Sequence, residues 1–304
     1  MSPRWFLITF YLLTITATFN FAAGQRFKSV EQAEDTILTA VKASLTRDLT
    51  DSSRNVINQL IYNGLHEALR LPASDDYPFE SLKSIVTITS PDKKFRIFHW
   101  NLPGSDGKQR YFGFIKMLGQ DPPVIFPLTD ISDTLLSPDT VVLDNAHWYG
   151  SLYYKIIPGE LSSGKKIYTL LGWAGRNSLI TQKVIEVLMF DDHDKPRFGL
   201  KVFPDFKDGN MARIIFRYSA ETTMSMKYEK QSIATNKRWN SKKREFDYSL
   251  EESLMIVCDR VVPIDPQLTG QYQYYVAAGD IFDGFLFRNN CWTFLSGIDT
   301  RNKK

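Results

Sequence analysis

Residues 148–203 read WYGSLYYKIIPGELSSGKKIYTLLGWAGRNSLITQKVIEVLMFDDHDKPRFGLKVF. Three turn-rich clusters, PGELSSG, AGRNS and DDHDKPR, divide this stretch into four runs of β-branched, aromatic and aliphatic residues. Such runs, separated by Gly, Pro, Asn and Asp, are typical of strands joined by hairpin loops. We therefore predict a four-strand β-meander that serves as scaffold.

Upstream of this meander, residues 28–71 show a helical period. Apolar residues recur three and four positions apart in two segments, which predicts an amphipathic helical hairpin. The two apolar faces are Val30, Ala33, Ile37, Val41 and Leu45, and Val56, Leu60, Ile61, Leu65 and Leu69. Asp51, Ser52 and Ser53 offer caps for the second helix, and Pro72 follows its last apolar residue. Helices this short more often dock on their own domain than bind a partner.

Much of the remaining chain alternates with the period of a strand. Residues 84–89, 95–100 and 111–118 predict a first three-strand meander. Residues 120–145 are rich in Pro and Asp, which predicts a long surface loop or linker. Two alternating runs around residues 220–221 predict a tight hairpin, and strand-like runs continue to the C-terminus.

Together these patterns predict an α+β fold in which the helical hairpin packs on a mostly antiparallel β region. We expect about ten to twelve strands in a sandwich, a roll or a meandering sheet. A propeller-like arrangement is the alternative, because residues 94–100 and 166–173 both run from a Lys-Lys turn to a Trp. The expected segments are a signal peptide at 1–24, a helical segment at 25–72, a first β-meander at 73–120, a loop or linker at 121–147 and the main antiparallel region at 148–304. Residues 25–304 could form a single domain or more than one.

The N-terminus has the pattern of a secretion signal. Arg4 precedes an apolar run over residues 5–21, and the small residues Ala22 and Gly24 fit the positions that a signal peptidase reads. We predict cleavage before Gln25, which would export the chain to the periplasm or the medium. An uncleaved anchor helix is the alternative, because the run is near the lower limit for spanning a bilayer. No later stretch has the length and apolarity of a span.

The charge of the chain indicates no nucleic-acid partner. Its formal net charge is only +3, and its hydrophobic and charged fractions, 43% and 23%, are ordinary for a soluble globular protein. The densest basic run is NKRWNSKKR at residues 236–244. It predicts either a contact for an anionic polymer or membrane surface, or a solvated hairpin loop. In the loop alternative, the basic run is balanced by the nearby acidic residues Glu245, Asp247, Glu251 and Glu252.

Two tryptophans are the candidate ligand-binding residues. Trp148 and Trp239 lie in turn-rich surroundings, where an exposed ring could stack on a sugar or contact another envelope protein. Tryptophans in strands are more often part of the core, which is the competing expectation. A glycan or an envelope protein is therefore the partner that we expect.

Acidic residues and cysteines provide two further candidate sites. Asp191, Asp192 and Asp194 form the densest cluster of oxygen ligands, which would suit calcium, although an Asp-rich hairpin turn explains the cluster equally well. No other cofactor is expected. Cys258 and Cys291, the two cysteines of the chain, predict either one disulfide in an oxidising compartment or two separate buried thiols.

Two short motifs match known sites but lie in the wrong context. Residues 159–165 follow the phosphate-loop pattern until Lys166 replaces the magnesium-binding Ser or Thr. A strand follows them instead of the helix whose N-terminus would hold phosphate. Ser-x-x-Lys at residues 162–165 lies in the same turn, and the chain contains no Lys-Thr-Gly partner for it.

No local motif identifies an enzyme. The histidines, His66, His99, His147 and His193, belong to no His-Glu-x-x-His pattern, and the chain contains no Gly-x-Ser-x-Gly elbow. Carboxylates on separate strands, such as Glu186 and Glu221, could serve glycoside hydrolysis if the fold brought them together. Whether the chain is catalytic is therefore not decided by its sequence.

The C-terminal region resembles the end of secreted bacterial proteins that have no assigned function. The resemblance rests on Tyr274-Tyr275-Val276, Gly279-Asp280, Asp283-Gly284-Phe285 and Trp292, and on the strand at 95–100 after Ser-Pro-Asp-Lys. It implies an exported bacterial protein and brings no activity, ligand or catalytic residue with it. The leading hypothesis is a non-catalytic binding or structural protein of the cell envelope, and the alternative is a secreted hydrolase acting on polysaccharide or peptide.

Overall fold

A computed structural model describes residues 27–46 and 49–298 of the 304-residue chain. The predicted signal peptide at 1–24 lies outside the described residues. Within the described part, no helix is long and apolar enough to cross a membrane.

The predicted helical hairpin is confirmed. Helix α1 spans Val30–Ser44 and helix α2 spans Asp51–Leu69. The hydroxyl of Ser29 caps α1, and the hydroxyl of Thr50, one residue before the predicted caps, accepts a hydrogen bond from the Ser53 amide at 3.2 Å. A short 3₁₀ turn, Pro72–Asp75, follows α2 because proline at its first position cannot continue an α-helix.

Fourteen strands of the described chain form three antiparallel sheets. The first sheet has the order β1-β2-β3-β4: β1 (Val86–Thr89), β2 (Phe95–Pro103), β3 (Gln109–Met117) and β4 (Ile125–Thr129). The second contains β5 (Leu143–Asp144), β6 (Leu152–Glu160), β7 (Lys166–Gly175), β8 (Ile180–Phe190), β9 (Pro196–Phe198) and β10 (Arg213–Ser219). The third has the order β11-β12-β13-β14: β11 (Met226–Asn240), β12 (Glu245–Pro263), β13 (Tyr275–Arg288) and β14 (Cys291–Ile298). The chain is therefore α+β and mostly antiparallel, as predicted.

The first sheet separates two hydrophobic cores. Successive residues of a strand point to opposite faces, so Phe98, Trp100 and Phe114 pack against the helices. The Trp100 indole donates a hydrogen bond to the Asn58 side chain of α2 at 2.7 Å. The opposite face contributes its residues to the core shared with the second sheet: Phe95, Ile97, Tyr111, Ile115 and Met117.

The second sheet is covered on both faces. Tyr168, Leu170, Val184 and Leu188 belong to the core with the first sheet, and Ile167, Leu171, Ile185 and Val187 belong to the core with the third. This two-sided burial explains why the runs of β7 and β8 are apolar almost throughout. The predicted meander at 148–203 is confirmed as β6 to β9, with its turns at the three predicted clusters.

The hairpin predicted around residues 220–221 is wrong. Strand β10 pairs with β8 in the second sheet, whereas β11 pairs with β12 in the third. Both runs are strands, as their alternation predicts. Alternation indicates a half-buried strand, but it does not indicate which strand pairs with it. Residues 220–225 therefore connect two sheets, and residues 121–147 likewise supply β4 to the first sheet and β5 to the second.

A buried histidine joins the first two sheets. The Tyr153 amide of β6 donates to Nε2 of His99 on β2 at 2.8 Å, and His99 Nδ1 lies 2.9 Å from the Val86 carbonyl oxygen. Because Nε2 accepts, the proton is on Nδ1 and the ring is neutral. Burial lowers the pKa of His99 to about 4, against an ordinary value of 6.5.

We expect this histidine to make the protein more stable as pH rises from 4 to 6.5. Above 6.5 both folded and unfolded chains hold a neutral His99, and its contribution is complete. As pH falls towards 4 only the unfolded chain takes up the proton, so the free energy of unfolding falls by about 3 kcal/mol. Urea unfolding at a series of pH values should show that His99→Gln removes this part of the slope.

The exposed His193, whose backbone amide makes its bond to Asp191, provides the control for this prediction. His193→Gln should leave the difference in unfolding free energy between pH 4 and 6.5 close to that of the wild type. An unchanged slope in His99→Gln would contradict the assignment of His99 as a neutral inter-sheet link.

Candidate functional site

A fully buried ion pair lies within the second sheet. Glu186 of β8 and Arg213 of β10 are directly paired in register, and the Arg213 Nε lies 2.5 Å from Glu186 Oε1 with neither side chain exposed. The Tyr153 hydroxyl donates to the other Glu186 oxygen at 2.5 Å. Burial, and then the Glu186 charge, raise the pKa of Tyr153 well above its ordinary value, so the phenol keeps its proton.

The same arginine holds the surface loop between β4 and β6. Its guanidinium donates hydrogen bonds to the carbonyl oxygens of Pro138, Val141 and Phe198. Arg213 thus pairs with one carboxylate and three carbonyl groups, which compensates the cost of burying its charge. The arrangement fixes the loop against the sheet and leaves Glu186 enclosed by protein.

Glu186 and Glu221 are not brought together by the fold. Glu186 pairs with the first residue of β10, whereas the exposed Glu221 lies beyond its last residue, Ser219. Six strand residues correspond to roughly 20 Å. The two carboxyl groups of a glycosidase lie about 5 to 10 Å apart. This pair therefore does not form a hydrolytic site.

Trp148 is buried instead of exposed, which corrects its assignment as a stacking platform. Its side chain is 0% exposed, and its indole N–H donates to the Tyr153 hydroxyl at 2.8 Å. Tyr111 packs edge-on against it from the first sheet. Trp148 therefore belongs to the core and presents no ring face to a ligand.

The acidic turn at residues 191–194 uses its carboxylates internally. Asp191 accepts hydrogen bonds from the amides of His193 and Lys195, and Arg197 donates to its second oxygen. These bonds, the backbone ones first, lower the pKa of Asp191 to about 2. The two neighbouring carboxylates pair with lysines of other turns: Asp192 with Lys165 and Asp194 with Lys94. In the described chain, no three His, Cys, Asp or Glu side chains converge as ligands, and calcium here would have to displace these cations.

Of the two alternatives for the cysteines, the structure shows separate thiols, although Cys291 is only partly buried. Cys258 on β12 lies opposite Asp283, whereas Cys291 on β14 lies opposite Arg288, five residues further along β13. Five residues correspond to roughly 16 Å, and a disulfide requires Cα atoms within about 7 Å. Burial raises the pKa of the Cys258 thiol.

The long hairpin of β11 and β12 extends the third sheet beyond its contact with the second. Ile256 and Cys258 of β12 pack on the second sheet. Every second residue of a strand shares a face, so Leu254 and Leu250 continue this face, where they are 49% and 58% exposed. Trp239 of β11 pairs in register with position 246 and so lies on the same face, 57% exposed.

The tip of this hairpin is basic. Lys242, Lys243 and Arg244 are exposed in the turn, and Arg238 is exposed on β11 next to Trp239. The acidic residues near this basic run lie on β12. One of them, Glu251, forms an ion pair with Arg288 of β13, with 3.1 Å between the guanidinium nitrogen and the carboxylate oxygen. We call this extension, residues 232–252, the β11–β12 arm. It combines one exposed indole with a cluster of cations.

A polar cavity of about 250 Å³ lies at the base of the β11–β12 arm. The residues around it include Ser225, Lys227, Glu229, Gln231, Asp259 and Phe282. Gln231 is only 5% exposed, and no protein group donates to its buried Oε1. An unpaired buried acceptor costs about 1–3 kcal/mol. Sequence reasoning missed this site because polar residues alternating with Met226 and Tyr228 look like the ordinary solvent face of a strand.

No family model, no curated protein and no solved structure matches this chain. Of the features that we describe, the buried network and the acidic turn pair their charged groups internally. The β11–β12 arm exposes an indole and several cations, and the cavity at its base holds a buried acceptor that no protein group satisfies.

We expect Arg213→Met to lower the free energy of unfolding by about 3–5 kcal/mol, because it leaves the buried Glu186 without its cation. Arg288→Met removes an exposed pair with Glu251 and should cost no more than about 1 kcal/mol. Chemical denaturation would measure both. The double variant Arg213→Met with Glu186→Leu should recover much of the loss, and a loss as large as that of the single variant would contradict the assignment.

We also expect the two thiols to differ in reactivity. In the folded protein a maleimide should label Cys291, which is partly exposed, and spare Cys258, which is 1% exposed. Both should react after denaturation without a reductant. Mass mapping that found one Cys258–Cys291 bridge would contradict the structure.

Proposed function

We propose that this chain is a non-catalytic binding protein exported to the cell envelope, and that the β11–β12 arm binds an acidic glycan. The observation that carries this proposal is the exposed Trp239 beside a cluster of exposed Lys and Arg residues. The N-terminal signal pattern supports the export that this proposal requires.

The chemistry of the arm suits a sugar polymer that carries negative groups. An indole ring offers a flat apolar face for the C–H groups of a sugar ring and a polar N–H at its edge. Arg238 and Arg244 offer planar donors for carboxylate or phosphate groups, and Lys242 and Lys243 offer point charges. An extended strand pair presents these groups along one line, which fits a linear polymer.

The scaffold that we propose for this role is a β-sandwich rather than a roll, meander or propeller. Its support is the stacking of three sheets with one hydrophobic core between each neighbouring pair. The second sheet, held from both sides, would keep the base of the β11–β12 arm rigid.

A secreted hydrolase acting on polysaccharide or peptide remains the second candidate. One observation favours it: Glu229 and Asp259 both line the cavity at the base of the arm. Asp259 accepts a hydrogen bond from the Ser225 amide at 2.7 Å, and Glu229 accepts one from Gln231 at 2.9 Å. These bonds give both carboxylates structural partners, so we favour binding over turnover.

The proposed function predicts that Trp239→Ala weakens binding to an acidic polysaccharide by about tenfold. The stacking of a nucleobase on one aromatic ring is worth about 1–3 kcal/mol, and we expect a sugar ring on the indole to fall at the lower end of this range. Affinity electrophoresis of the purified chain in gels containing alginate or polygalacturonate would measure this. Neutral dextran should retard the chain little, and raising the salt concentration should weaken binding to the acidic polymers.

Tyr274→Ala is the matched control, because Tyr274 is an exposed aromatic residue outside the β11–β12 arm. It should bind like the wild type. Equal binding by Trp239→Ala and wild type, or no binding to any acidic polymer, would overturn the proposal. Release of reducing ends that stops in Glu229→Gln would instead establish the hydrolase.

A further inference from the structure

The cavity at the base of the β11–β12 arm lies on the face of the third sheet that points away from the second. Met226, Ile256 and Cys258 face the second sheet, so Lys227, Glu229 and Gln231, one residue out of phase with Met226 on β11, face outwards. Val257 and Phe282 of the neighbouring strands belong to the small apolar cluster on this outer face. The cavity is thus bounded by a polar strand on one side and an apolar floor on the other.

The orientation of the Gln231 amide is fixed by its neighbour. Its Nε2 donates to Glu229 Oε1 at 2.9 Å, and a carboxylate can only accept, so the amide oxygen must occupy the other position. This oxygen is buried and receives no hydrogen bond from the protein. A ligand in the cavity that donates one hydrogen bond to it would satisfy it.

The charges around the cavity are mixed in sign. Lys227 provides an ammonium group and Glu229 and Asp259 provide two carboxylates, whereas Lys230 is in phase with Met226 and points to the opposite face of the sheet. The carboxylates repel an anionic ligand, and the Lys227 ammonium repels a cationic one. A neutral ligand also avoids the cost of removing a charge from water. The lining therefore favours an uncharged molecule with many hydrogen-bonding groups.

The hydroxyl group matches this lining, because it both donates and accepts. The carboxylates and the Gln231 oxygen can accept hydrogen bonds from the hydroxyl groups of a ligand, and the Lys227 ammonium can donate hydrogen bonds to those hydroxyl groups. The Phe282 ring can contact the C–H groups of the ligand. We infer that the cavity between β11, β12 and β13 binds a neutral polyhydroxylated ligand the size of a single sugar unit. Its volume of about 250 Å³ is just below the range of about 300–1,000 Å³ that is usual for drug-sized ligands.

This inference does not depend on the proposed function of the arm. Gln231 lies eight residues before Trp239 on β11, which corresponds to roughly 25 Å along the strand. The two sites therefore use different residues, and each can fail without the other.

Calorimetric titration of the purified full chain tests the inference. The probes are glucose, galactose, mannose and N-acetylglucosamine, with the zwitterions glycine and alanine and the cation lysine as comparators of similar or smaller size. We expect at least one of the four sugars to bind the wild type. Gln231→Leu should weaken this binding by about tenfold, as expected for the loss of one buried hydrogen bond.

Gln59→Leu is the matched control, because Gln59 is an exposed glutamine on α2 that also bonds a neighbouring side chain. It should bind sugar like the wild type, as should Trp239→Ala. If Gln231→Leu does not fold, the exposed Lys227→Met replaces it and should also weaken binding. Binding of none of the sugars, equal affinity in the folded cavity variant and the wild type, or binding of an amino acid in place of a sugar would overturn the inference.

Discussion

The Glu186–Arg213 ion pair lies in a sheet that has a hydrophobic core on each of its faces. Water does not reach either side chain, so each charge must be balanced by protein groups. Arg213 meets this requirement with Glu186 and three carbonyl oxygens, and Glu186 meets it with Arg213 and Tyr153. The interaction joins β6, β8, β10 and the loop after β4, so the geometry of the second sheet depends on it.

The need to pair every buried polar group also determines the contacts between the second sheet and the first. Tyr153 donates its amide to His99 and its hydroxyl to Glu186, while Trp148 donates to the Tyr153 hydroxyl. These residues look like catalytic groups when taken one at a time. In the structure each polar atom is used by a neighbour, and the side chains are closed to solvent. Their role is to specify how two sheets stack, since a buried polar group that loses its partner is costly.

The exposed aromatic and basic groups and the unpaired buried acceptor lie where the two-sided burial of the sheets ends. The β11–β12 arm leaves the second sheet after Ile256, and Leu254, Leu250 and Trp239 are exposed on the same face. The cavity lies on the outer face of the same sheet, where Gln231 holds an acceptor that the protein does not satisfy. The inner sheets therefore act as scaffold, and the third sheet carries both proposed binding sites.

Patterns with a clear period were readable from the sequence. The helical hairpin follows from apolar residues at three- and four-residue spacing, and the meander at 148–203 follows from turn clusters between apolar runs. The segment around residues 220–221 shows where this reasoning stops. Two alternating runs close in sequence predict a hairpin. In the structure β10 pairs with β8 and β11 pairs with β12, because strand pairing depends on which apolar faces must be covered.

Local patterns were enough to predict the fold class, the two helices, the meander and the basic run beside Trp239. These are local properties, set by side-chain period and backbone preference within about twenty residues. The burial of Trp148, the exposure of Trp239, the separation of the cysteines and the cavity beside Gln231 follow instead from tertiary contacts. Burial and distance between remote residues depend on how the sheets stack, and no local pattern encodes that stacking.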